Sequence, residues 1–146
     1  MDDWDAQLVT DDKDEFLEIF WNSYDLVVFV EEAGETVRRE PDMVFTATRG
    51  RHQVGAEAHG HSVYYSTHRL KQLDTTLRDQ CPELYLFACS NEAARDLADD
   101  YGCAALKLAP SFLPGEFIHI LPGVPPELYR VDFRTQKVER NFRIKI

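Results

Sequence analysis

The sequence predicts an α/β sandwich built on a mixed sheet. Three features point there. Amphipathic helical segments alternate with short β-branched and aromatic runs; residues 84–108 read as a β-α-β unit; and at Pro110 the pattern changes to Pro/Gly-rich loops and short strands. The predicted order is α-β-β-β-α-β-α-β, followed by a β-rich extension.

The first helix is read from Asp12 and Glu15, which have capping-box spacing, and from Phe16, Leu17, Phe20, Trp21 and Tyr24 on one face. Leu26–Val30 is a buried strand, and Glu31–Gly34 a hairpin-like turn into a return strand at Val37–Arg39. After Pro41, Asp42–Ala47 reads as a strand and Arg49-Gly50-Arg51 as its turn. His52–His59 alternates, with Val54, Ala56 and Ala58 on one face and Gly55, Glu57 and His59 on the other. A helix from about Ser66 to Gln80 carries Leu70, Leu73 and Leu77 and stops at Pro82. Leu84–Ala88 is a buried strand. Asn91 caps a helix with Ala94, Leu97, Ala98 and Tyr101 inward and Gly102 at its end. Ala104–Leu108 should then lie parallel to the preceding strand, by crossover handedness. Phe117–Leu121, Leu128–Arg134 and Val138–Ile144 complete the pattern, the last two as a hairpin around Thr135-Gln136. The core is expected at Leu26, Val28, Val44, Phe45, Val54, Ala56, Leu70, Leu73, Leu77, Leu84, Leu86, Phe87, Leu97 and Leu106.

With 146 residues and 44% hydrophobic content, the chain is expected to form one domain, 1–146, with a core at 12–109 and an extension at 110–146. No apolar run approaches the ~20 residues of a membrane span. The acidic start, Met1-Asp2-Asp3-Trp4-Asp5, is unlike a secretory leader. Cys81, Cys89 and Cys103 form no CxxC pair, so reduced thiols and a cytoplasmic location are expected.

Net charge is −10, which argues against non-specific nucleic-acid binding by the chain as a whole. The distribution is uneven. Residues 1–20 carry eight acids and one Lys, whereas 128–146 carry six bases and two acids. Between 49 and 71, Arg49, Arg51, Arg69 and Lys71 face only Glu57, beside His52, His59, His61 and His68. Fourteen Asp and eleven Arg against five Lys fit a salt-rich cytoplasm and equally an acidic mesophilic protein. High salt would screen the acidic shell. An acidic mimic of nucleic acid is a third option resting on net charge alone.

No GK[ST] or GxGxxG follows a strand, and no Ser or Cys sits in a nucleophile elbow. The acids are more informative. Asp42 follows Pro41, and Glu57 lies fifteen positions later. On adjacent antiparallel strands the two carboxylates share a face and suit one hard divalent cation, with the Ala58 carbonyl as third ligand. A Glu57/His59/His61 trio is a weaker transition-metal option.

Pro41-Asp42, fourteen residues, then Glu57-Ala58-His59, with the flanking element order, resembles the PD-(D/E)xK nuclease superfamily over residues 12–109. The resemblance implies a restriction-endonuclease-like fold and a metal-dependent phosphodiesterase acting on DNA or RNA with Mg²⁺ or Mn²⁺ at Asp42 and Glu57. The superfamily's Lys is His59 here. Members that carry the base on the following helix point to Lys71 and Gln72 in that role, and a first-helix acid points to Glu15 or, preferred, Glu18 as a further ligand. Arg49, Arg51, Arg69 and Lys71 are the expected nucleic-acid contacts. The missing Lys sustains an alternative: an inactive nuclease-like domain that binds nucleic acid or protein, with 110–146 as a homodimer or partner contact.

Overall fold

The computed structural model describes residues 6–50, 60–69 and 72–146. The chain is mixed α/β and divides into two compact units, Met1–Gln80 and Cys81–Ile146. The predicted strand His52–His59 and core positions Val54, Ala56 and Leu70 lie outside the described residues.

In the first unit, α1 (Lys13–Trp21) begins where expected, with the Asp12 carboxylate accepting from the Asp14 and Glu15 amides. The Glu15 half of the capping box is absent. Its carboxylate accepts from the Thr10 hydroxyl, and Thr10 Oγ1 accepts from the Asp12 amide. Strand β1 (Val27–Val30) pairs in parallel with β2 (Ser62–Tyr65), a strand the sequence reading passes over as loop.

The connection between them departs from the hairpin expected. Glu32 adopts a left-handed φ of 48°, and the chain enters α2 (Ala33–Arg39) instead of a return strand. Ala33 and Val37, four apart, are buried together, while Glu35 and Arg39 form an i,i+4 ion pair on the outside. The strand expected at Asp42–Ala47 is also helical. A 3-10 turn, Pro41–Met43, leads into α3 (Val44–Arg49). Pro41 is pre-organised for that first turn. Met43, Thr46 and Gly50 are buried and Phe45 is 43% exposed, a helical and not an alternating pattern. Gly50 is required there: a Cβ would meet the Phe20 ring at 2.7 Å.

Helix α4 (Thr75–Asp79) is shorter than the 66–80 expected, because Asp74 caps it, accepting from the Thr76 and Leu77 amides. Val30, Ala33, Val37, Met43 and Leu77 form the core of this unit, with Phe16, Leu17, Val28, Val63 and Tyr65 packed around it.

The second unit begins as predicted with β3 (Leu84–Leu86) and α5 (Asn91–Asp100), whose buried face is Ala94, Leu97 and Ala98. The cap is Ser90, one residue earlier than read, and Gly102 ends the helix at φ 60°. The parallel strand expected at Ala104–Leu108 is a 3-10 helix, Ala104–Ser111. Its Leu106 and Ala109, three apart, are buried, and Pro110 has no amide to give a sheet ladder. The β-α-β unit is therefore absent. Strand β3 pairs antiparallel with β4 (Glu116–Leu121), which continues through β5 (Val124–Asp132) to β6 (Lys137–Arg140) in the order β3-β4-β5-β6. Residues read as an extension thus make most of this sheet, and the hairpin turn at Thr135-Gln136 is where the sequence put it. Gly115 (φ 84°) lets the backbone pass Val131, whose carbonyl would stand 2.5 Å from a Cβ.

Candidate functional site

Alternation along the antiparallel strands sorts the second sheet into two faces. Ile118, Ile120 and Leu128 point to the buried side, where β4 packs on the 3-10 helix and α5 packs along that helix. The other face carries rings. Register places Tyr85 opposite His119 and His119 opposite Glu127; in the next row Phe117 opposes Tyr129, which opposes Arg140. Phe87 continues the Tyr85 side and lies 5.0 Å from the Phe117 ring. Tyr85 stacks on His119 at 4.5 Å and 11°, and Phe117 on Tyr129 at 5.6 Å and 22°.

Hydrogen bonds fix the polar ends of these rings. Glu83 accepts from the Tyr85 hydroxyl and meets His119 Nε2, each at 2.8 Å. The Tyr85 bond first, then His119, holds the Glu83 carboxyl below its ordinary range. Glu127 accepts from the Tyr129 hydroxyl and from Arg140, and its bond to Tyr129 raises that phenol. Phe117 is buried beneath its neighbours, but Tyr85 and Phe87 are each 46% exposed. Phe87, expected in the core, is instead a surface ring.

Beyond the rings lies the basic C-terminal segment. Arg143 binds the buried Glu116, through Nε at 2.6 Å and through Nη2, and Leu113 N–H adds a bond at 2.7 Å. Arg143 above all, with Leu113 and Asn141, holds the Glu116 carboxyl at about 2. Arg130, Arg134, Lys137 and Lys145 have no ion pair among the described residues.

The predicted catalytic residues are arranged differently. Asp42 sits in the 3-10 turn and not on a strand, and its Oδ2 lies 3.4 Å from Lys13 Nζ. Lys13 also meets Glu40 at 3.0 Å, and these acids, Glu40 first, raise its proton affinity. Glu18 is on the exposed side of α1. Gln72 lies against Gly34, where a Cβ would come within 3.0 Å of the Gln72 Cβ. Arg49 lies over the Phe45 ring at 4.3 Å, and Arg69 is exposed on a Thr67-bonded loop. Glu57, Ala58, His59, Arg51 and Lys71 lie outside the described residues.

Among the described residues, no three His, Cys, Asp or Glu side chains come together as a metal site. The Asp42 carboxylate has Lys13 beside it as a cation. His61 has both ring nitrogens engaged. It is buried, and its Nδ1 accepts from the Leu26 amide at 3.2 Å, so the ring proton is on Nε2, donating to the Phe20 carbonyl at 2.8 Å.

Lys13 and the aromatic face are the features sequence reasoning missed. Lys13 is 29 positions from Asp42, with no local signal. The aromatic face lies in the alternation of Phe117 with His119 and of Tyr129 with Val131 along strands the sequence predicts, but that alternation alone does not tell which face is covered. The chain matches no family model, no curated protein and no solved structure. Among the described residues, no helix is long and apolar enough to cross a membrane.

Proposed function

We propose that this chain is a nucleic-acid-binding module that does not cut what it binds. The observation that carries the reading is the aromatic face of the four-stranded sheet, on which Tyr85 and Phe87 are exposed, with Arg140 on the same face and Arg134 in the adjoining turn. Two nearly half-exposed rings, Tyr85 and Phe87, beside cations offer the two interactions nucleic acids use, base stacking and phosphate charge. The acids on that face are engaged by Tyr85, His119, Tyr129 and Arg140, which tempers their repulsion of phosphate.

A second reading is a metal-dependent phosphodiesterase at Asp42 and Glu57. One observation favours it: Lys13 stands beside Asp42, a cation where the motif lacks its lysine. In that reading Lys13 would steady charge on the phosphate.

One experiment separates them. Labelled DNA and RNA, single-stranded and duplex, are mixed with the protein across a salt series, with and without Mn²⁺. The module reading expects salt-dependent binding and intact strands. Absence of binding at every salt concentration that keeps the protein folded overturns it; cleavage that needs Mn²⁺ and is lost in Asp42→Ala establishes the second reading.

A further inference from the structure

We infer that the ligand is a single strand, its bases laid on Tyr85 and Phe87 and its backbone running toward the β5–β6 hairpin; this rests on the binding-module reading above. In a duplex both faces of every base are covered by its neighbours, so a flat ring can take up only an unstacked base. Tyr85 and Phe87 stand two residues apart on one strand with the same facing, and each leaves nearly half its surface open. Behind them the face is stiff. Phe117 lies against Phe87 at 5.0 Å and against Tyr129 at 5.6 Å, and Tyr85 is held both by its stack on His119 and by its hydroxyl bond to Glu83. The rings therefore need little ordering when a base arrives.

Charge supplies the direction. The chain is acidic overall, at −10, with two basic zones, 49–71 and 128–146; the second, at +4, is the one that belongs to this sheet. Arg140 ends the Phe117–Tyr129 row on the ring face, and Arg134 is in the turn. Arg130 and Lys137 emerge on the reverse of the same hairpin and add to its potential. A strand crossing the rings and leaving over the hairpin meets bases with rings and phosphates with cations. Glu127 shares Arg140, so this cation serves the phosphate only by giving up part of that bond. Ring stacking thus carries most of the affinity.

The test is fluorescence anisotropy on the full chain with a labelled ~16-nucleotide single strand and the matching duplex, within the site sizes such surfaces cover. The wild type should prefer the single strand at least tenfold. Phe87→Leu and Tyr85→Leu keep an apolar exposed side chain but lose the ring, and each should weaken single-strand binding about tenfold. Tyr85→Phe should stay within threefold. Arg134→Gln should flatten the salt dependence by about 0.7 in slope, one phosphate contact on a single strand. Circular dichroism confirms that each variant is folded. Equal affinity for strand and duplex, or leucine variants that bind like wild type, would overturn this inference while leaving the binding module standing. Failure to bind any nucleic acid would remove both.

Discussion

His61 offers the sharpest test of how the first unit is held together. Its ring is 6% exposed, lies 4.2 Å from the Phe20 ring, and joins the ends of two elements by accepting from Leu26 N–H and donating to Phe20 C=O. His61→Ala leaves that carbonyl and that amide without partners, at about 1–3 kcal/mol for each buried group. The Leu26 amide is half-buried, so water offsets part of its share. Lost burial and ring contact add on the order of 1 kcal/mol. The sum is about 3–4 kcal/mol. Both tryptophans, Trp4 and Trp21, belong to Met1–Gln80, so tryptophan fluorescence during urea unfolding reads this unit. With a slope of about 1 kcal/mol/M for a unit of this size, the midpoint should fall by about 3 M or the unit should unfold outright. His61→Gln, whose amide can still donate and accept, should lose about half as much. A midpoint within 0.5 M of wild type for His61→Ala, with ~0.5 M taken as the scatter of such fits, would refute the bridging role.

Three further outcomes are expected. Glu116 has its carboxyl lowered from 4.5 to about 2 in the fold, so its contribution is present above the unfolded value and lost as pH falls from about 4.5 toward 2. Glu116→Gln should therefore destabilise Cys81–Ile146 at neutral pH and flatten its acid limb, measured by hydrogen exchange at the Ile118 and Leu128 amides. Gly115→Ala places a Cβ against the Val131 carbonyl at a left-handed φ and should cost about 3 kcal/mol by the same exchange measurement. Burial pushes the Cys81 and Cys89 thiols up, so native protein at neutral pH should react with iodoacetamide more slowly at both than urea-unfolded protein, read by mass spectrometry.

The legible parts of this fold are those where local chemistry and tertiary packing agree. Asp12 and Gly102 mark helix ends because their caps are made within a few residues. The Thr135-Gln136 turn is local too, with Gln136 at φ 54°. Misreadings cluster in short runs whose buried residues prove to lie three or four apart. Met43-Val44-Phe45-Thr46-Ala47 has strand propensity, but burying Met43, Thr46 and Gly50 against Phe20 and the unit's core settles it as helix. Ala104–Leu108 failed for a related reason: a short apolar run cannot distinguish a strand from a buried helical turn, and Leu106 with Ala109 decided it. Once those two strands become helical, neither the Asp42 strand nor the parallel crossover remains to hold the expected site. The candidate surface was hidden differently. Nothing local tells which face of Phe117–Leu121 will be covered, because the 3-10 helix that covers the other face was itself misread.

The central claim is most directly tested by mapping the ligand on the protein. In a titration of ¹⁵N-labelled chain with the single-stranded oligonucleotide, the account predicts amide shifts at Tyr85, Phe87, His119, Tyr129 and Arg140, and none at Asp42 or across Val44–Arg49. Shifts confined to Asp42 and its neighbours, or none anywhere at saturating strand, would contradict it.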